Sequence, residues 1–495
     1  MRVISVKQCA DFKQQVIIVG RMPKFANAIK TEQNPYHPAM IITDNKQLFG
    51  NLRQSHPVFT YERFVIMAED NQLKLRFFFN IGSDIRFSPH MSIQTGQSTI
   101  ELTHLLNTHS DLVRNLVFHI GLIEMVSYWK CVCSPHIIIK AGSLQPEQTD
   151  WFKQLFFNGL GEFFYANSIN VDSASYVTIE TKGDEKFSLQ SYLTSEESFI
   201  VPIGGGKDSA VSLDLLLTHG YTVVPLIMNP RGATLKTVEA AGLPPDNVIT
   251  INRSIDPVLL QLNERGFLNG HTPFSAMLAF YTLLAAALKG IKNIALSNES
   301  SANEPTIPGT NINHQYSKTF EFEASFREYY ARYITPDLNY FSLLRPLNEW
   351  QIMKLFSDMP HYHKVFRSCN VGSKNNTWCG KCPKCLFTYI MLSAFVGIHQ
   401  ANALIEAEML DDEALKPVFD ELTGLATNKP FECVGTLDDV NQALRLIIQN
   451  HQKLPTLVKY YQDYNLSVRP NNPGQLNSNH FVPENLLDIL TQAIQ

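Results

Sequence analysis

FIVPIGGGKDS, residues 199–209, is the stretch on which the reading of the whole chain turns. Residues 199–203 are an apolar run of strand length, and residues 210–218 carry apolar positions at helical spacing. Between them stand Gly204, Gly205 and Gly206, then Lys207, Asp208 and Ser209. A strand that ends in glycines and opens a helix is an anion site. Glycine lets backbone N–H groups approach a phosphate without a Cβ in the way. The helix N-terminus adds partial positive charge, Lys207 a full one and Ser209 a hydroxyl donor. Two commoner loops are excluded. A Walker A loop needs glycine at 201 and Ser or Thr at 208, where this chain has Val201 and Asp208. A Rossmann fingerprint needs glycine at 209, which is Ser209.

Working outward, residues 222–228, 248–251 and 293–296 read as strands, and 235–241 and 273–288 as helices. This alternation predicts an α/β fold with a parallel sheet and crossover helices. Ligands then sit at the carboxyl ends of the strands, so the informative loops are 204–209, 229–234 and 297–304. Upstream, 72–80 reads as a strand with 65–67 as its partner, 136–139 as a short buried strand, and 111–129 and 146–165 as amphipathic helices. The polar stretch 171–196 reads as a connection or edge hairpin. Beyond residue 433 the pattern is helical, at 437–450 and 483–495, around an Asn/Pro-rich stretch. The expected organisation is an N-terminal α+β domain over 1–195, an α/β domain over 196–435 and a helical tail over 436–495.

Composition narrows the class. A chain of 495 residues exceeds one compact core. Its 41 basic and 46 acidic residues give a net charge of −5, with no global attraction to nucleic acid or an anionic membrane. Met1 to Gln8 open the chain without a long apolar run or a small-residue cleavage site, so no signal peptide is expected. The apolar stretch 273–288 is too short for a bilayer span. A cytoplasmic protein with no nucleic-acid and no membrane partner is expected.

Four of the eight cysteines share one window: Cys369, Cys379, Cys382 and Cys385. Four thiolates with a Gly and a Pro between them suit structural, tetrahedral Zn²⁺, with an iron–sulfur cluster as the alternative. Cys9, Cys131, Cys133 and Cys433 are scattered. Cys131 and Cys133 resemble the pair of two-cysteine glutamate racemases, but at i, i+2 they would not flank a substrate, and packing is expected of them.

The loop after the 293–296 strand carries Asn298, Glu299 and Asn303. Glu299 is assigned to Mg²⁺ or proton transfer, against a solvated turn. His314, Tyr316 and Lys318 form a polar run that no core requires, and they are assigned to substrate binding or proton transfer. Arg345 has a carboxylate or phosphate partner, or lies on the surface. His271 opens the long apolar helix with a structural or a catalytic role, and His119 is structural.

The pattern [SG]-G-G-x-D-S at the glycine loop resembles the PP-loop of the N-type ATP pyrophosphatases. That resemblance implies an adenine nucleotide alpha hydrolase-like domain. It also implies that ATP and Mg²⁺ bind at Gly204, Gly205, Gly206, Lys207, Asp208, Ser209 and Asn298, and that ATP is cleaved to AMP and pyrophosphate. The cysteine arrangement is similar to the zinc site of 7-cyano-7-deazaguanine synthase, another PP-loop enzyme. Further segments narrow the choice: SYWK at 127–130, GLGEF at 159–163, LNGH at 268–271, SNESSA at 297–302, INHQYSK at 312–318, SLLRP at 342–346, WCGKCPKC at 378–385 and KPFECVG at 429–435. Together they resemble the UDP-N-acetylmuramoyl-L-alanyl-L-glutamate epimerase family, over about 70–435. The family implies a UDP-linked muramoyl dipeptide as substrate. Its terminal L-glutamate would be adenylated so that the α-proton becomes acidic, with Lys207, Asp208, Glu299, His314, Tyr316 and Lys318 as the catalytic set. The alternatives are a PP-loop ligase or thiolase acting on a base or tRNA, and a non-catalytic zinc-stabilised nucleotide-binding protein.

Overall fold

The computed structural model describes residues 42–192, 194–464 and 474–495. The readings of Met1–Gln8, of Cys9 and of much of the Asn/Pro-rich stretch fall outside these residues.

Eleven strands form one mixed sheet. In chain order they are β1 (Val58–Glu69), β2 (Gln72–Ile81), β3 (Ile85–Phe87), β4 (His90–Gln94), β5 (His136–Ile139), β6 (Thr178–Thr181), β7 (Ser195–Pro202), β8 (Thr222–Met228), β9 (Ile249–Arg253), β10 (Ile291–Leu296) and β11 (Asn339–Ser342). Across the sheet they run β11-β10-β7-β8-β9-β4-β2-β1-β5-β6, with β3 beside β2. The five strands from β11 to β9 are mutually parallel. The β1–β2 pair and β4 are antiparallel insertions. Because β4 pairs with β9, the sheet passes without a break from the 1–195 segment into the 196–435 segment.

Strand order explains where a ligand would go. From β7 the chain steps to β8 and β9 on one side, then returns to place β10 and β11 on the other. The direction reverses between β7 and β10. In an open parallel sheet the crevice at such a switch point, beyond the carboxyl ends of the strands, takes the ligand. The glycine loop follows β7, and the Asn298–Glu299 loop follows β10.

Alternation along β7 shows how the sheet is covered on both faces. Ile200 packs into a cluster with the buried helices Ser110–Trp129 and Phe274–Lys289. Phe199 and Val201 face the opposite cluster, with the helices Lys207–Thr218, Glu349–Ser357 and Pro383–Val396. The tail joins this second cluster through Val440, Leu444, Leu457, Leu486 and Leu490. No described helix is long and apolar enough to cross a membrane.

Most expected elements are present, with three corrections. The 171–196 stretch is no hairpin: β6 lies parallel to β5 at the sheet edge. The 146–165 helix is two helices, Pro146–Gly159 and Gly161–Ala166, broken at Leu160. There a Cβ on Gly159 would come 2.9 Å from Pro273. Arg345 is fully buried, so its surface reading is excluded.

Candidate functional site

The glycine loop is built as its sequence requires. Gly205 has φ +80, and a Cβ there would meet the Ala233 Cβ at 2.9 Å. Only glycine combines that left-handed backbone with so close an approach. Gly206 is the N-cap of the helix Lys207–Thr218. Gly204 faces open space. The Arg367 N–H donates to the Gly205 carbonyl at 2.7 Å, and the Ser209 hydroxyl donates to the Gly206 carbonyl at 3.2 Å. A free helix N-terminus thus ends at an open, glycine-walled concavity, the geometry that receives a phosphate.

That concavity belongs to a cavity of about 470 Å³. Gly204, Gly206, Asp208, Ser209, Ser297 and Asn298 line it, together with His271, His314, Lys318 and Cys433. Ser368, Cys369 and Lys384 complete a wall. A second cavity, of about 590 Å³, is lined chiefly by apolar and amide side chains such as Phe157, Phe164, Ile169 and Asn158. The ionisable groups concentrate in the first.

Lys207 is placed differently from its sequence reading. It is buried and does not line the cavity. Its Nζ lies 2.6 Å from Glu349 Oε2 and also pairs with Asp208. Burial lowers its pKa, but Asp208, Glu349 and Glu299 outweigh that and raise it, so the lysine stays charged. Burial raises Glu349 against the opposing pull of Lys207. Glu299 is likewise buried beneath the cavity and raised by desolvation, with Lys318 and Lys207 pulling the other way. Asn298 does reach the cavity, and its Nδ2 donates to Ser342 Oγ at 3.1 Å.

Arg345 holds the floor together. It pairs with Glu323 at 3.0 Å, donates to the Glu299 carbonyl at 2.7 Å and also donates to the Lys318 carbonyl. Its carboxylate partner is internal, so it fixes the 299 loop against the 312–318 segment. Of the three polar residues in that segment, His314 and Lys318 line the cavity and Tyr316 does not. Tyr316 lies against Phe322, and burial raises its phenol.

The cavity also carries a cluster that sequence alone did not assemble. His314 Nδ1 pairs with Glu162, and His271 Nδ1 lies 3.2 Å from the same carboxylate oxygen. The two imidazole rings are 4.7 Å apart. Lys318 Nζ donates to Cys433 Sγ at 3.3 Å, and His314 lines the same cavity near enough for the two groups to influence each other electrostatically. Burial lowers the pKa of His314, but Cys433 and Glu162 outweigh it and raise it to about 10. His271 is pushed down to about 4 by burial and by its neighbour His314. Burial raises the Cys433 thiol, yet Lys318, Lys384 and His314 together hold it well below the usual thiol range. Lys130, buried and lowered to about 8 by desolvation, donates to the carbonyls of Gly270 and His271 and so fixes the turn that presents His271.

The four clustered cysteines converge. Cys369 and Cys382 have sulfurs 3.9 Å apart, and Cys379 and Cys385 3.7 Å. Their four Sγ atoms lie within 4.8 Å of one another. A tetrahedral ion with Zn–S bonds of about 2.3 Å sets its sulfurs roughly 3.8 Å apart, so the donor set fits zinc. Cys369 and Lys384 also line the cavity wall, so a metal here would brace the wall of the site. By contrast, Cys131 and Cys133 are fully buried and their thiols raised by desolvation, as packing residues should be. His119 is buried too, with Nε2 2.8 Å from the Tyr329 hydroxyl, and is pushed down to about 4 by desolvation.

Comparison with known proteins finds two family models that together span most of the chain. The MurL N-terminal domain model matches residues 51–343 and the MurL C-terminal domain model residues 365–467. The second match runs past residue 435, where the sequence resemblance was expected to stop. A Xanthomonas oryzae pv. oryzae protein described as UDP-N-acetyl-alpha-D-muramoyl-L-alanyl-L-glutamate epimerase is 33% identical over 71% of this chain and 78% of its own length. Proteins of the same description from Micromonospora sp. (33% identical, over 67% of this chain and 74% of its own) and Salinispora tropica (34%, over 66% and 71%) are also similar. No solved structure matches the chain.

Proposed function

Because the chain belongs to the MurL family, we propose that it epimerises the terminal L-glutamate of UDP-N-acetylmuramoyl-L-alanyl-L-glutamate to D-glutamate, in cytoplasmic peptidoglycan precursor synthesis, with ATP consumed to AMP and pyrophosphate. The observation that carries this reading is the joint lining of one cavity. A phosphate-type loop and ionisable side chains suited to proton transfer line the same space.

The chemistry explains why both sets of residues are needed. The α-nitrogen of the substrate's glutamate is an amide, so an imine cannot acidify the α-carbon. Its α-carboxylate opposes deprotonation, since loss of the proton would build a dianion. ATP supplies an adenylyl group that neutralises the carboxylate as an acyl-adenylate and makes the α-proton removable. In this reading Gly204, Gly205, Gly206 and Ser209 hold the phosphates, Asp208 holds Mg²⁺ against them, and Asn298 orients the nucleotide. Lys207 and Glu299 set the charge beneath the loop. His314 and Lys318 serve the substrate, and Tyr316 supports the segment that carries them. Cys369, Cys379, Cys382 and Cys385 would hold a structural Zn²⁺ that keeps the cavity wall in place. The parallel strands β11 to β9 would be the PP-loop domain proper.

The test is direct. The protein, ATP, Mg²⁺ and the UDP-linked dipeptide are incubated, and glutamate chirality and pyrophosphate are measured after hydrolysis. D-Glutamate accompanied by pyrophosphate is expected; absence of both would remove the proposal.

A further inference from the structure

Cys433 is 115 residues from Lys318 in sequence, yet it shares the cavity with the glycine loop. Its surroundings are built for a thiolate. Lys318 reaches it from the 312–318 segment, and His314 and Lys384, the latter in the first turn of the helix Pro383–Val396, line the same cavity and add positive charge near it. The carboxyls of Glu299 and Glu432 oppose them. His314 is itself oriented by Glu162 through Nδ1. A thiol in contact with an ammonium, with a carboxylate-bound imidazole lining the same cavity, is in a setting that generates a reactive thiolate. The packing cysteines Cys131 and Cys133 have no comparable opening onto this cavity.

We propose that Cys433 is a proton-transfer residue of the epimerisation, its thiolate held by Lys318 and the Glu162–His314 pair and acting on one face of the activated glutamate. This rests on the epimerase reading above. In the step, the α-C–H bond breaks and an S–H bond forms on Cys433. The C–H electron pair passes into the activated acyl carbonyl as an enolate. In the reverse direction, the Cys433 thiol returns its proton to the same face. A thiolate suits the task because it abstracts protons from carbon, yet ordinary thiols are mostly protonated at neutral pH. The three neighbouring cations remove that obstacle.

The experiment separates activation from proton transfer. Wild type and Cys433→Ala are given ATP, Mg²⁺ and the UDP-linked L-glutamyl dipeptide in D₂O. Pyrophosphate, α-deuterium and D-glutamate are followed together. If wild type yields neither pyrophosphate nor D-glutamate, the epimerase reading itself fails. If wild type is active, Cys433→Ala should release pyrophosphate within a few-fold of wild type. Its D-glutamate formation should fall by roughly 10²–10⁴-fold, the usual range for loss of a proton-transfer group. Cys433→Ser, which preserves volume, should behave alike and decides the matter if the alanine variant does not fold. Unchanged epimerisation, or pyrophosphate release lost along with it, overturns the assignment. So does a covalent acyl–Cys433 adduct found by mass spectrometry in wild type. As an independent readout, iodoacetamide labelling of the Cys433 peptide should persist below pH 7, and His314→Gln should move its pH midpoint upward. Labelling that falls tenfold per pH unit from pH 8 in wild type, as for an ordinary thiol, counts equally against the proposal.

Discussion

Two buried charge networks in the molecule are built to different ends. In the first, Arg253 grips Glu124 with two bonds, at 2.5 and 2.8 Å, donates to Ser127 at 3.1 Å, and shares Glu124 with the Tyr281 hydroxyl. None of these four side chains lines the cavity. The network ties β9 to the helices Ser110–Trp129 and Phe274–Lys289, and its charges satisfy each other. In the second, Glu162, His271, His314, Lys318 and Cys433 surround a concavity, and four of the five open onto it. Here cations gather around a thiol, and one imidazole is raised while its neighbour is lowered. Pairs of titratable groups pushed apart in this way mark sites of acid–base work. Burial and charge alone do not distinguish the two networks; access to the cavity does.

The contrast breaks most visibly on removal of one sealed partner. Glu124→Ala leaves the Arg253 guanidinium buried without its carboxylate, and stability should fall by about 3–5 kcal/mol, read by denaturant unfolding. The double replacement Glu124→Leu with Arg253→Met should recover most of that loss, because a well-packed apolar pair is often no worse than a buried ion pair. A loss of the same size in the double variant would show that the network does more than pair charges.

Asp208→Asn should have the opposite profile. Lys207 keeps Glu349 at 2.6 Å, so stability should change little, whereas pyrophosphate release should fall by roughly 10²–10³-fold, as when one group that holds developing charge is removed. Normal turnover in this variant would contradict the reading of the loop.

Metal removal gives a smaller, local effect. A chelator strong enough to strip a four-cysteine site should loosen 369–385, raising the KM for substrate because Cys369 lines the cavity wall, and lowering kcat as far as Lys384 is displaced from Cys433. Elemental analysis should find zinc before treatment.

A further effect is in pH dependence. His314 is raised to about 10 in the folded protein, against about 6.5 for a free imidazole. Its contribution to stability is therefore full below about pH 6.5 and lost as pH rises through about 10. His314→Gln should flatten the stability decline between pH 7 and 10, and an unchanged slope would show that the imidazolium is not held by Glu162 and Cys433.

What could be read from sequence follows from locality. The glycine loop lies within six consecutive residues, and its flanking strand and helix are each set by their own periodicity. The four cysteines crowd one window for the same reason. Glu162, His271 and Cys433 come from three distant segments and are brought together around the 312–318 segment only in the fold; no local pattern announces that. Glu349 was invisible because a glutamate in the first turn of an amphipathic helix looks like an ordinary dipole-complementing residue. Its task became clear only when it was found under the loop against Lys207. The tail helices carry an amphipathic pattern and no chemistry, and their role proved to be packing through Leu444 and Leu490. β6 was misread because a short, polar edge strand carries little apolar alternation to mark its direction.

The central claim, that ATP consumption exists to acidify an α-carbon, is tested most directly by solvent exchange. The wild-type protein, Mg²⁺ and the UDP-linked dipeptide are placed in D₂O with and without ATP, and deuterium at the glutamate α-carbon is measured. Deuterium should enter only when ATP is present, alongside pyrophosphate and D-glutamate. Deuterium entering equally without ATP would mean that the α-proton is removed from an unactivated carboxylate, and would contradict the account.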